Sequence, residues 1–378
     1  MPSQHTLSGQ PPIRVRAIAV TRVPVNHRGD WVFVALTDQD GRVGYGEASH
    51  STDDAATMVL LEGALFQVIV GREWDDPAMA WSILDEAAPA GTNRRVAATA
   101  ASAVEQALWD LRAQQARVTL ASLLGAGPAA TTVPLYANIN RATVDRSPEG
   151  FAANAARAVQ EGFRTVKLAP FDEVAYGTPP GERRRLAEAG LARVGAVRAT
   201  VGPDIRVLVD CHWRFDVTSA LEVARALAEL HVGWQEDPVP YEDGPEDTLA
   251  VRRAAPLPIA TGERLIGAAA FVPFLEAGAA DFYLPDVKHI GGIGELRALA
   301  ELSRDRGVWI TPHNPSGPIS TLASASVLAS VPHAAPLEFA WGEVGWRPTV
   351  LDPPERIEDG ALVLPSGRPG LGAGLAAS

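Results

Sequence analysis

The sequence predicts an α/β chain whose main body is a parallel (β/α)8-type TIM barrel, preceded by an α+β unit and completed by a C-terminal tail. Three observations carry this. From about residue 129 onward, short apolar runs end near Ala137, Lys167, Asp210, Glu236, Glu263, Pro285, Pro312 and Phe339. Most of the gaps between them hold an amphipathic helical stretch, clearest at 153–162, 182–200, 219–230 and 294–306. Alternating strands and helices build a parallel sheet, and eight repeats allow it to close. Third, the runs at Asp210, Glu236 and Glu263 each end in an acid, and the gaps of 26 and 27 residues match one strand-plus-helix unit. Some of the eight segments are weak, so seven helices with an irregular closure fit the pattern equally well.

Taken in order, residues 1–12 read as a polar tail. Residues 13–47 read as β structure: a loosely alternating run from Ile13, a buried-type run at Trp31–Leu36, turn chemistry at Thr37–Gly41, and a return at Val43–Glu47. From Ala55 to about Gln115 the apolar residues follow helical spacing, broken at Pro77 and at Pro89–Gly91. The domain reading is therefore 1–128 for an N-terminal α+β unit, 129–345 for the barrel, and 346–378 for a Pro- and Gly-rich segment that returns to the first unit.

Composition narrows the function. Of 378 residues, 47% are hydrophobic and 21% charged, which suits a chain with a large core. The formal net charge of −12 argues against a nucleic-acid partner, which requires a basic surface. Cys211 is the single cysteine, so no intrachain disulfide forms and a reducing compartment fits. No run is apolar and long enough for a membrane span and no secretory segment is evident, so a cytoplasmic protein is expected.

The three acids carry the chemistry. All strands of a parallel barrel end on one face, so Asp210, Glu236 and Glu263 converge at the mouth where barrel active sites sit. Clustered carboxylates need neutralising, and a hard divalent cation, Mg²⁺, does so with oxygen ligands. His313 follows the seventh run and Asp286 the sixth. A neighbouring carboxylate orients an imidazole and raises its basicity, as a general base requires. Lys167 ends the second run, Glu338 lies in the eighth, and His212 stands two residues beyond Asp210, which strand alternation places on the same face.

This constellation resembles the enolase superfamily over almost the whole chain, with an N-terminal α+β capping domain over the barrel. The resemblance implies Mg²⁺ held by Asp210, Glu236 and Glu263, and removal of the proton α to a substrate carboxylate. Asp286 paired with His313 is similar to the mandelate racemase subgroup. That subgroup's Lys-x-Lys reads here as Lys167-Leu168-Ala169, so Lys167 is the expected electrostatic stabiliser and Ala169 replaces a second base. Asp210-Cys211-His212 resembles the D-galactonate dehydratase-type acid-sugar dehydratases, in which the histidine protonates the departing hydroxide. Glu338 matches the acid that hydrogen-bonds the substrate carboxylate. The loops matching the family's two mobile cap loops hold His27 and Arg28, and His50; Trp341 is expected to wall the pocket.

The leading expectation is therefore a Mg²⁺-dependent hydro-lyase that converts a sugar acid to a 2-keto-3-deoxy acid, as a homo-oligomer acting on a small carboxylate. An epimerase or racemase using His313 and His212 on opposite faces is the nearest alternative. A barrel without activity, serving as a scaffold, is the alternative of another class.

Overall fold

The computed structural model describes residues 10–27 and 29–376. The chain opens with an antiparallel meander of β1 (Ile13–Asn26), β2 (Gly29–Asp38) and β3 (Val43–Glu47), and β4 (Glu73–Trp74) joins the far edge of β1. Asp38 shapes the β2–β3 turn by accepting from the backbone N–H groups of Asp40 and Arg42. Helices α1 (Asp54–Glu62), α2 (Phe66–Ile69), α3 (Met79–Ala87) and α4 (Arg94–Ala116) follow. Asn93 caps α4 by accepting from the N–H groups of Arg95 and Val96. The sheet lies directly on α4. A Cβ at Gly44 or Gly46 would come within 2.3 or 1.9 Å of the carbonyl oxygens of Ala107 and Ala103. The alanine-rich face of α4 and these two glycines are thus one packing solution.

After α5 (Leu120–Leu123) come eight parallel strands: β5 (Thr132–Asn138), β6 (Thr165–Leu168), β7 (Arg206–Asp210), β8 (Val232–Glu236), β9 (Ile259–Thr261), β10 (Phe282–Tyr283), β11 (Trp309–Ile310) and β12 (Leu337–Phe339). Each pairs with the next from β5 to β11, β12 pairs with β5, and a parallel bridge from Ile310 to Ala334 completes the ring. Seven helices lie between the eight strands among the described residues: α6 (Pro148–Gln160), α7 (Pro180–Val201), α8 (Val217–Glu229), α9 (Glu246–Ala254), α10 (Val272–Ala277), α11 (Ile293–Arg304) and α12 (Pro318–Leu328). Tyr136 of β5, Leu208 of β7, Trp234 of β8, Ala260 of β9 and Leu284 just past β10 form one buried cluster, with the Tyr136 and Trp234 rings edge-on at 5.8 Å. The barrel is thus a packed core, not a channel. None of the helices is long and apolar enough to cross a membrane, among the described residues.

Past β12 the chain takes irregular turns to β13 (Leu351–Asp352) and a hairpin of β14 (Arg356–Glu358) and β15 (Ala361–Val363). β15 pairs antiparallel with Thr132–Pro134 of β5, a stretch that reaches below the pairing of β6 and would otherwise expose an open edge. The segment meets the cap at both ends: Trp346 packs edge-on against Trp31 of β2 at 5.3 Å, and the Leu371 N–H donates to Asp110 of α4 before β16 (Gly374–Leu375) pairs with β13. The C-terminal segment therefore docks on the barrel as well as on the N-terminal unit.

The cap grips the barrel from above. Ser102 and Glu105 of α4 accept from the backbone N–H groups of Gly291, Ile293 and Gly294, beyond β10. Glu47, at the end of β3, accepts from the N–H groups of Gly317 and Ser320 at the start of α12.

Candidate active site

Asp210 and Glu236 are the last residues of β7 and β8 and stand side by side in register. Glu263 lies two residues past β9, after Gly262 turns the chain at φ +117°. One oxygen from each of the three lies within 4.8 Å of the others, and all three residues are buried. Burial, with neighbouring carboxylates, pushes Glu236 well above the usual range despite Lys167. Asp210 is raised by burial, but His212 and Lys167 outweigh that and hold it low.

A fourth buried carboxylate, Asp237, follows Glu236 without sharing the cluster. Asp237 accepts from the Thr261 hydroxyl at 2.6 Å through Oδ1, while its buried Oδ2 has no partner among the described residues. Burial pushes it well up, with Glu263 and Asp210 adding to the effect. Buried negative charge of this density is costly without a cation. Oxygen donors at this spacing suit a hard divalent ion, so the residues present fit one.

Lys167, at the third position of β6, is 1% exposed and bridges Glu236 to a further acid: Nζ is 2.6 Å from Glu236 and 2.8 Å from Glu338. Burial alone would lower it, but the two carboxylates hold it well above the usual lysine value. Glu338 also accepts from the Asn138 amide at 2.6 Å and the Asn314 N–H at 2.8 Å.

His313, just past β11, spans two groups. Nδ1 is 2.8 Å from Asp286 and Nε2 is 3.0 Å from Glu263. Asp286 is further held by Lys288, whose Nζ lies 2.9 and 2.7 Å from its two oxygens and also reaches the Ser316 hydroxyl. Burial would raise Asp286; Lys288, His289 and His313 outweigh it and keep the carboxylate ionised. Lys288 and Asp237 are site residues that the sequence reading did not single out, and their only signal is adjacency to Asp286 and Glu236.

His212 reaches the cluster by a route other than strand alternation. β7 ends at Asp210, and His212 and Trp213 take left-handed backbone at φ +47° and +57°. The turn lets the His212 N–H donate to Asp210 Oδ1 at 2.9 Å and brings Nε2 to 2.9 Å from Asp210 Oδ2. Two successive non-glycine residues there cost roughly 1–2 kcal/mol each. Burial lowers His212, but Asp210 outweighs it and the imidazole is raised above its ordinary value.

The cap residues divide. His50 joins the mouth: its Nε2 is 3.0 Å from Arg141, which lies 2.5 Å from Glu343 beyond β12. Burial, then the charges of Arg141 and Lys288, push His50 down to about 2. His27 sits exposed in the β1–β2 turn, and Arg28 lies outside the described residues. Trp341 does not wall the site. Its indole donates to Glu161, just past α6, at 2.6 Å, and Arg157 of α6 lies over the ring.

The family model described as enolase C-terminal domain-like matches residues 150–378, and that of the mandelate racemase/muconate lactonizing enzyme N-terminal domain matches residues 6–125. The chain belongs to the mandelate racemase branch of the enolase superfamily. This member is 30% identical over 354 residues to a D-xylonate dehydratase of Haloferax volcanii, covering 90% of this chain and 82% of that one. It is 30% identical to a D-galactarolactone cycloisomerase of Agrobacterium fabrum, over 90% of this chain and 88% of the relative. A crystal structure of a mandelate racemase/muconate lactonizing enzyme from Sulfitobacter superposes with a TM-score of 0.83 at 26% identity, over 96% of this chain and 93% of the other.

Proposed function

We propose that this enolase-superfamily member is a Mg²⁺-dependent dehydratase of a sugar acid. Asp210, Glu236 and Glu263 would hold the ion, which supplies positive charge against the substrate carboxylate when bound. The observation that carries the reading is the placement of two histidines on different ligands of one cluster, His313 on Glu263 and His212 on Asp210. Relatives named for D-xylonate, D-gluconate and arabinonate dehydration support it.

His313 takes the α-proton at Nε2, and Asp286 accepts from Nδ1 to fix the tautomer and offset the imidazolium charge. His212 gives a proton to the β-hydroxyl, which leaves as water, and the enol becomes a 2-keto-3-deoxy acid. Asp210 raises His212 above its ordinary value, the direction a general acid needs. Lys167 meets the substrate carboxylate, and Glu338 accepts from Lys167 at 2.8 Å to hold the ammonium in place. Ala169 has no proton to exchange, so a two-base racemisation would have to use His212 itself, and that is the second reading.

Two variants in D₂O separate these. His313→Asn should lose both α-proton exchange and dehydration. His212→Asn should lose dehydration by about 10²–10⁴-fold, the usual worth of a general acid. Stereoinversion of substrate by wild-type protein with no 2-keto acid would replace the dehydratase by the epimerase. Inactivity on all sugar acids with Mg²⁺ bound would leave a scaffold.

A further inference from the structure

The turn that carries His212 is held by groups that the proposed chemistry does not use. His212 and Trp213 take left-handed backbone at φ +47° and +57° directly after β7. Such backbone persists in residues with side chains only where their surroundings hold it. The Trp213 N–H donates to the Asp237 carbonyl at 2.7 Å, which ties the turn to the end of β8. The indole is clasped from two sides. Arg264, next after Glu263, lays its guanidinium over the ring, with Cζ 3.2 Å from the ring centre. The Tyr241 ring meets the indole edge-on at 6.4 Å. The clasp is itself braced: the Arg264 N–H donates to the Tyr241 hydroxyl at 3.1 Å, and the guanidinium pairs with Glu242 at 2.6 Å. Segments leaving three successive strands, β7, β8 and β9, thus meet on one indole.

His212 has less support of its own. Its backbone N–H and its Nε2 both go to Asp210, at 2.9 Å each, and its side chain is 33% exposed. Its ring lies beside the indole, with centroids 5.8 Å apart and planes 32° from parallel. A rigid peptide unit joins the two residues, so they turn together. An indole released from its clasp would swing the imidazole with it.

We propose that Trp213 and Arg264 are positioning residues for the acid step: their stack holds the left-handed turn and so aims the His212 imidazole at the departing hydroxyl. The inference rests on the dehydratase reading above and deepens it. It separates the clasp from a merely structural contact, because His212 is needed only where the leaving group is poor. A β-substituent that departs as a stable anion needs the base and the carboxylate cluster but not the acid.

The test compares a sugar acid that the Mg²⁺-loaded protein dehydrates with the analogue that carries fluorine in place of the β-hydroxyl. In the analogue His313 takes the α-proton, the C–F bond breaks with its electron pair, and fluoride leaves without a proton. Trp213→Leu and Arg264→Met should each slow 2-keto acid formation from the hydroxy acid by on the order of tenfold or more, a part of what a general acid contributes. Fluoride release should stay close to the wild-type rate in both. The double variant should be no slower than the slower single one, because residues that act as a unit are not additive. Equal losses on the two substrates, no loss on either, or additive losses in the double variant overturn the assignment. Should wild-type protein dehydrate no sugar acid, the dehydratase reading is what fails. Histidine NMR then decides the clasp. Arg264→Lys keeps the charge and loses the planar stack, so it should shift the His212 signal, identified by its absence in His212→Asn; an unmoved signal overturns the clasp.

Discussion

Replacing Asp286 by Asn tests two roles that the structure assigns to one carboxylate. Asp286 and Lys288 are each 1% exposed, and Nζ sits 2.9 and 2.7 Å from the two carboxylate oxygens. The substitution leaves an ammonium buried with the Ser316 hydroxyl and a carboxamide. Removing one partner of a buried ion pair costs about 3–5 kcal/mol, because the surviving charge stays desolvated. At this chain length that is a fall of roughly 4–6 °C in melting temperature. The same change takes the charged acceptor from His313 Nδ1, 2.8 Å away, and should slow turnover by about 10²–10⁴-fold. Adding Lys288→Met separates the two. Loss of both charges is close to neutral for folding, so the double variant should recover most of the melting temperature and none of the rate. Thermal unfolding and 2-keto acid formation, measured on the three variants, read this directly. A single Asp286→Asn variant that melts like wild type would sink the buried-charge argument. A double variant that recovers turnover would remove Asp286 from the chemistry.

Two further outcomes follow from the same geometry. Asp210→Asn should abolish turnover and weaken Mg²⁺ binding in calorimetric titration by at least the roughly 10–100-fold that outer partners of a metal site command; unchanged affinity would dismiss the three-carboxylate site. His50, pushed from 6.5 down to about 2 by burial, is a base with a depressed folded pKa. The unfolded chain takes up a proton at His50 below about pH 6.5 and the folded chain does not. Its contribution to stability is therefore complete above pH 6.5 and is lost as pH falls, by about 1.4 kcal/mol per unit. Urea midpoints from pH 7 to pH 5 should fall less steeply in His50→Gln than in wild type, and parallel slopes would contradict the assignment.

What the sequence conveyed about this site depended on whether regular backbone carried the residue there. Asp210 and Glu236 close strands in register, so period and parallel pairing were enough to bring them together. The same logic reached Lys167 and Glu338, which lie within strands. Trp341 lies in a turn two residues past the end of β12, so alternation could not place its indole against Glu161. Where the backbone leaves the strand, sequence spacing stops being a guide. His212 arrives at Asp210 through left-handed backbone at His212 and Trp213.

The rest depended on contacts between parts of the chain far apart in sequence, which no local pattern records. The loop after β10 carries Asp286 and Lys288, and its direction is set from the cap by α4. Glu105 accepts from Ile293 and Gly294 at the start of α11 and from the Trp109 indole, at 2.7 Å each. Burial nonetheless pushes its carboxyl up to about 8. Gly292, at φ +93°, leaves room that a Cβ would close, at 2.0 Å from the Glu105 carboxylate. His289, in the same loop, meets Thr99 of α4 at 2.8 Å. Thus the residues that orient His313 are fixed by a helix some 190 positions earlier in the chain. The barrel supplies the strand ends and the cap supplies the angle of the loop, so the geometry of the base belongs to both units together.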